Sequence, residues 1–234
     1  MLIITHLTEV SSTNDWIAER AASLADESWV RADRQKAGRG RRGRVWASDT
    51  GNLFASVWCR PQALEGPSQQ LSFVASLALD VALQFYVPAE RLSLKWPNDV
   101  LLDGVKCAGI LLEGQPGGTI IGIGVNLAHH PQATERPATS LPAAGIASPA
   151  PAEFAERLAT ALSAIRQIWR DGGFDPIRTL WLSRAAGKGA QLEARLGTET
   201  VIGRFEDLAA DGALLLRLHS GAVRAIHAGE VFGL

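Results

Sequence analysis

The sequence predicts an α+β fold: strands with packed helices, followed by a small β barrel. Three observations carry this reading. Apolar residues recur at helical spacing in three separate stretches, alternating strand-like segments fall between them, and beyond "AAGKG" short strands and turn signals repeat at barrel spacing. The 234 residues, 47% of them hydrophobic, suffice for a buried core.

After a short apolar segment at residues 2–4, "SSTNDWIAERAASLAD" offers Ser12, Thr13 and Asn14 as cap candidates and Asp15 three residues after Ser12. Its apolar face runs through Ile17, Ala21 and Leu24, which predicts a helix with an exposed polar start. "NLFASVWCR" reads as a strand, and "QQLSFVASLALDVALQFY" has the spacing of a core-packed helix. "LSLKW" and "VLL" read as short strands around Pro97. Asp103-Gly104 gives a tight-turn signal before "VKCAGILLEG", which completes a hairpin. Simple alternation in that strand puts Val105, Cys107 and Gly109 on one face and Lys106, Ala108 and Ile110 on the other.

"GGTIIGIGVNLA" supplies a glycine-spaced strand, and five of the eleven prolines, between Pro131 and Pro151, mark a surface loop. A helix follows in "PAEFAERLATALSAIRQIW", with Phe154, Leu158, Leu162, Ile165 and Trp169 on one face and Gly172-Gly173 ending it. The tail reads as four strands: "AQLEARL", "ETVIGRFEDLA", "ALLLRLH" and "AVRAIHAGEVFG". A boundary near Gly187 divides the chain into residues 1–186 and 187–234.

A formal net charge of −1 argues against a broad polyanion-binding surface. The basicity is local: Arg31 to Arg44 holds seven Lys or Arg against Asp33 alone, a +6 window on a remainder of −7. Cys59 and Cys107 each lie in an apolar stretch, as buried thiols in a reducing compartment do. With no leader-like start and no membrane-length apolar run, the expectation is a soluble cytoplasmic protein without membrane association.

The loop "QKAGRGRRGRVW" joins glycines at 38, 40 and 43, which permit positive φ and close backbone approach, to arginine forks that suit phosphate or carboxylate. By itself such a run is commonly solvated or a generic RNA contact. It contains neither a Walker lysine nor a dinucleotide fingerprint. Lys106, inside an apolar strand, needs an anion or a route to solvent, and Lys95 poses the same question.

"SSTN", "QKAGRGRRGRVW", "KWPNDVLLDGVKCAGILLEG" and "GIGVNL", in this order and at these separations, resemble the biotin protein ligases, also called biotin–[acetyl-CoA-carboxylase] ligases. The similarity runs from about Ser11 to Asn126, with a looser fit of the tail ending "HAGEV". The resemblance implies a class II synthetase-like catalytic domain, a mixed sheet with packed helices, and a small SH3-like C-terminal β barrel. It also implies a two-step reaction, in which biotin and MgATP give biotinyl-5′-AMP and pyrophosphate, and a carrier lysine then takes the biotinyl group. The implied partner is the biotin carboxyl carrier protein of a carboxylase, and a homodimer is an open option. The motifs begin at residue 11, so the expected form is monofunctional, without a DNA-binding head domain.

The resemblance assigns biotin to Ser12, Thr13, Asn14, Gln35, Arg39, Gly40, Arg41, Lys106 and Gly109. It assigns ATP to Arg39, Arg41, Arg44, Trp46, Lys95, Asn98, Asp99 and Asn126, with Arg41 and Lys106 as the catalytic pair. Gly122 and Gly124 are expected to keep the strand surface open. Asn98 and Asp99 could orient the loop, Lys106 or Mg²⁺, and no metal ligands are assigned. Two rivals remain at this point: a lipoate or octanoate ligase of the same fold, and a nucleic-acid-binding module using the charged loop.

Overall fold

A computed structural model describes residues 3–62, 65–132, 137–197 and 199–233. Strand β1 (Ile4–Val10) runs parallel to β2 (Ser28–Gln35), and the crossover between them carries the short helix α1 (Thr13–Ala18). β3 (Leu53–Cys59) pairs antiparallel with β2 and with β7 (Gly118–Val125). β4 (Leu92–Lys95), β5 (Asp99–Leu102) and β6 (Val105–Gln115) meander antiparallel up to β7, giving a seven-stranded sheet of order β1-β2-β3-β7-β6-β5-β4.

One face of this sheet is covered by α2 (Leu71–Leu83) and α3 (Pro151–Gly172), with α4 (Phe174–Ser183) beside them. On β3, Leu53, Ala55, Val57 and Cys59 join the large core on this side, and on β7 Ile121, Ile123 and Val125 do the same. The opposite face is covered only at one end, where Ile17 and Ala21 pack on Val30, Trp58 and Ile120. The rest of that face carries the site.

The second unit is a five-stranded antiparallel sheet of order β11-β10-β9-β8-β12, formed by β8 (Gln191–Arg195), β9 (Thr200–Leu208), β10 (Leu214–Arg217), β11 (Val223–Ile226) and β12 (Glu230–Gly233). Its Phe205 reaches Trp181 of α4, so the two units share a core.

Several expectations change. The basic window is not all loop, since residues 31–35 belong to β2, whose charges at Arg31, Asp33 and Arg34 obscured its apolar Trp29, Val30 and Ala32. Helix α1 stops at Ala18, and its polar start is buried: Ser12, Thr13 and Asn14 are 3%, 3% and 4% exposed. Helix α4 follows the Gly173 break, where φ is 66°, and buries Phe174, Ile177 and Trp181. "AVRAIHAGEVFG" is two strands, β11 and β12.

The face assignment on β6 is also corrected. Val100 pairs with Ala108 but Leu101 pairs with Lys106, so Cys107 is an extra residue in a β-bulge. The bulge lets Cys107 and Ala108 both enter the core and brings Lys106 to the same face as Gly109. A Cβ on Gly109 would lie 3.1 Å from Lys106 Nζ.

Candidate active site

A cavity of about 300 Å³ opens on the sheet face beside α1 and extends to β12 of the second unit. Every residue expected to contact biotin or ATP lines it: Ser12, Thr13, Asn14, Gln35, Arg39, Gly40, Arg41, Arg44, Trp46, Lys95, Asn98, Asp99, Lys106, Gly109 and Asn126. Gly229, Glu230 and Val231 also line it. Sequence reading missed these, because only the tertiary fold brings β12 to the arginine loop.

The cavity has a neutral polar end. Ser12 accepts from the Asn14 backbone N–H at 3.2 Å, so capping and pocket lining coexist at the start of α1. Gln35 Oε1 accepts from the Thr13 backbone N–H at 2.8 Å, and Gln35 Nε2 donates to Ser48 Oγ at 3.2 Å. The Asn14 side chain crosses the sheet from Ser56 on β3, 2.5 Å from its Oδ1, to Glu113 on β6, which accepts from its Nδ2 at 2.6 Å. The strand it crosses holds Gly122, where a Cβ would lie 2.4 Å from Asn14 Oδ1. Ser56 and Glu113 escaped the sequence reading because their roles depend on strand pairing: Ser56 faces Gly122, and Gly122 faces Leu111, two residues before Glu113.

The other end is cationic. Lys106 Nζ lies 2.5 Å from Asp99 Oδ1 and 5.5 Å from the centre of the Trp46 ring. Lys95 stands over the Phe232 ring at 5.6 Å. The indole of Trp46 covers Gly109 and Gly124, which are cross-strand partners. A Cβ on Gly124 would come within 2.4 Å of that ring, so Gly124 seats Trp46 rather than leaving the surface open as expected. Asn126 Nδ2 donates to Thr139 O at 3.0 Å, and Asn126 N to Cys107 O at 2.8 Å, which ties the adjoining loop to the bulge.

The arginine loop closes over this end. Of its glycines only Gly43 takes positive φ, 72°, next to Arg42 at 57°. Gly38 is needed for space instead, since a Cβ there would sit 2.4 Å from Ser48 Oγ. Arg39 Nε and Nη2 donate to Glu113 at 3.0 Å each, and Nη2 also to Asp15 at 2.7 Å. The hydrogen bonds that Arg39 donates to Asp15 and Glu113 raise its pKa above the ordinary value. Arg41 Nη1 donates to Asn98 Oδ1 at 3.3 Å, and Arg44 pairs with Glu230 at 2.6 Å. Asn98 Nδ2 in turn donates to the Ile110 carbonyl at 2.6 Å, so Asn98 serves the loop and Asp99 serves Lys106.

Fold and cavity together define a small-molecule-binding protein whose site is neutral and polar at one end and cationic at the other. Residues 7–128 match the model of the biotin/lipoate A/B protein ligase family, and residues 189–233 match that of the biotin protein ligase C-terminal domain. The chain belongs to the biotin/lipoate A/B protein ligase family. It is 43% identical to a biotin–[acetyl-CoA-carboxylase] ligase of Paracoccus denitrificans, over 97% of this chain and 98% of that one. It is 35% identical to the ligase of the same name from Mycobacterium tuberculosis, over 97% and 88%. Among solved structures, the biotin protein ligase of Aquifex aeolicus in complex with biotin and ATP superposes with a TM-score of 0.86 at 26% identity, covering 100% of both chains.

Proposed function

We infer that the protein activates biotin with ATP and transfers it to a carrier lysine. The observation that carries this is a single cavity joining the hydrogen-bonding end at Thr13 and Gln35 to the cationic end at Arg41 and Lys106. In the first step a biotin carboxylate oxygen attacks the α-phosphorus of ATP. The bond to the bridging oxygen of the β-phosphate breaks, and pyrophosphate leaves. In the second step a lysine amine attacks the acyl carbon, the acyl–oxygen bond breaks, AMP leaves and the nitrogen loses its proton.

For the roles of individual residues we propose the following. Ser12, Thr13, Asn14 and Gln35 hold the ureido ring, and Gly40 and Gly109 allow close backbone approach. Lys106 and Arg41 neutralise the charge that builds at the carboxylate and α-phosphate. Trp46 and Asn126 flank the adenine, Lys95 and Arg44 lie toward the phosphates, and Arg39 anchors the loop through Asp15 and Glu113. Among the described residues no group of three or more His, Cys, Asp or Glu could hold a metal ion. Mg²⁺ is proposed to enter with the nucleotide, as MgATP.

The biotin carboxyl carrier protein of acetyl-CoA carboxylase is the proposed acceptor, in line with the names of the relatives. We also propose the domain division at Gly187 and a cytoplasmic location, where the free buried thiols of Cys59 and Cys107 stay reduced. Among the described residues no helix is long and apolar enough to cross a membrane. Purified protein with MgATP is expected to catalyse pyrophosphate exchange that depends on biotin and not on lipoate, and to add one biotinyl group to an apo-carrier. Exchange with lipoate alone would move the assignment to the other branch of the family.

A further inference from the structure

We propose that Glu113 and Ser56 are positioning residues that set the hydrogen-bond direction of the pocket, so that it accepts an N–H of the biotin ureido ring. This rests on the activity proposed above and adds two residues that do not line the cavity.

The Glu113 carboxylate is paired with Arg39 and only accepts. At 2.6 Å it must face the Asn14 NH₂, because the amide oxygen in that place would put two acceptors in contact. Asn14 Oδ1 is thereby turned toward Ser56 Oγ at 2.5 Å, a separation that requires the Ser56 hydrogen to lie between them.

Ser56 has one hydrogen, and its Oγ is also 2.7 Å from Thr13 Oγ1. With the Ser56 hydrogen spent on Asn14, the Thr13 hydroxyl donates to Ser56. The single Thr13 hydroxyl hydrogen could instead reach Gln35 Oε1 at 3.1 Å, but given to the shorter contact with Ser56 it leaves Thr13 Oγ1 and Gln35 Oε1 without a hydrogen between them. Gln35 cannot turn to relieve this, because its Oε1 already accepts from the Thr13 backbone N–H. Two converging acceptors at the cavity wall are the complement of a ligand N–H, and the second hydrogen of Gln35 Nε2 remains for a carbonyl. A cyclic urea offers both groups side by side.

Burial makes the chain stiff. Ser56 is 0% exposed and Asn14 4%, so water does not compete for their partners. Gly122 leaves the path that Asn14 takes across the central strand, and β3, β7 and β6 hold its ends in register. With a neutral amide at 113, Asn14 can turn over, the Ser56 hydrogen passes to Thr13, and the Thr13 hydrogen fills the gap to Gln35.

Biotin-dependent ATP–pyrophosphate exchange tests the proposal on the wild type, Glu113→Gln, Ser56→Ala and the double variant. Each single change is expected to raise the KM for biotin about tenfold, since one buried hydrogen-bonding direction is lost, while Ser56→Ala, which keeps the Arg39–Glu113 pair, moves the KM for ATP less than about twofold. The double variant is expected to match the singles, because both break one chain. Effects that multiply in the double variant overturn the proposal. So does a parallel rise in both KM values of Ser56→Ala with a lowered melting temperature, which marks a structural role. Calorimetric titration with biotin alone, below the melting temperature of each variant, gives the same comparison if turnover is lost. Absence of biotin-dependent exchange in the wild type would instead overturn the activity, and this inference with it.

Discussion

Lys106 Nζ and Asp99 Oδ1 face each other at 2.5 Å across neighbouring strands, and the bulge at Cys107 makes the pairing possible. Without the extra residue, strict alternation would separate Lys106 from Gly109 and from the pocket face. The apolar strand thus carries its cation beside a carboxylate whose side chain is 12% exposed, at the place proposed for the acyl-phosphate.

Lys106→Ala therefore does more than delete a charge, because it leaves Asp99 unpaired near an incoming phosphate. Biotinyl-AMP binding is expected to weaken by at least about 1.5–3 kcal/mol, the range for a lost charge-assisted contact, with ATP alone affected less. Adding Asp99→Asn to Lys106→Ala is expected to recover part of the loss. Calorimetry with a hydrolysis-resistant adenylate analogue measures both. Unchanged affinity in Lys106→Ala would place the residue outside the site.

Arg166 on α3 is 0% exposed and lies among Asp26, Glu27 and Glu65. It also donates to the Arg60 carbonyl at 2.6 Å. Arg166→Met would leave these carboxylates with Arg170 as their remaining cation, and a loss of about 3 kcal/mol, the low end of the range for a broken buried ion pair, is expected in urea unfolding. Burial opposes ionisation of Asp26, but the Arg166 hydrogen bond, the Arg60 backbone N–H and the charges of Arg166 and Arg170 outweigh it and hold its pKa below the ordinary value. That stabilisation is present above the ordinary carboxylate range and is lost as pH falls through the lowered pKa, so the variant is expected to show a shallower acid limb.

What could be read from the sequence was whatever depends on residues near one another in the chain. The helices α2 and α3, the turn at Asp103-Gly104 and the cavity-lining residues fall in this group, because periodicity, turn chemistry and ordered motifs are local. β2 was hidden because Arg31, Asp33 and Arg34 interrupt its apolar pattern. Helix α4 was missed although Phe174, Ile177 and Trp181 follow helical spacing, since Gly172-Gly173 read as an end and nothing marked a restart. The bulge at Cys107 has no local signature, and Ser56, Glu113 and Glu230 gain their roles from strand pairing and domain contact.

Burial pushes the thiols of Cys59 and Cys107 up from 9.0 to about 12. The unfolded chain releases these protons near the lower value and the folded chain near the higher, so across that interval the unfolded state holds fewer protons and stability falls as pH rises. Cys59→Ala and Cys107→Ala are each expected to flatten the alkaline limb of a pH–stability curve. Neither thiol should react with iodoacetamide at neutral pH until the protein unfolds. Rapid labelling of the native chain would show that the core around β3 or β6 opens readily.

The arginine loop is tied to both units, through Arg41 to Asn98 and through Arg44 to Glu230. A loop held at both ends can keep the mixed anhydride from water until a carrier docks. The Arg44–Glu230 pair is partly exposed, so by itself it contributes at most about 1 kcal/mol, whereas Arg41 is proposed to meet the phosphate directly. Arg41→Ala is accordingly expected to leave adenylate formation detectable while the intermediate escapes, appears free in solution and labels exposed lysines. Glu230→Gln should shift release in the same direction but by less. Rapid filtration compares the release rates, and limited trypsin digestion reports whether biotin plus ATP protects the loop. Equal release from wild type and Arg41→Ala, with cleavage indifferent to ligand, would mean that the loop binds the adenylate without retaining it.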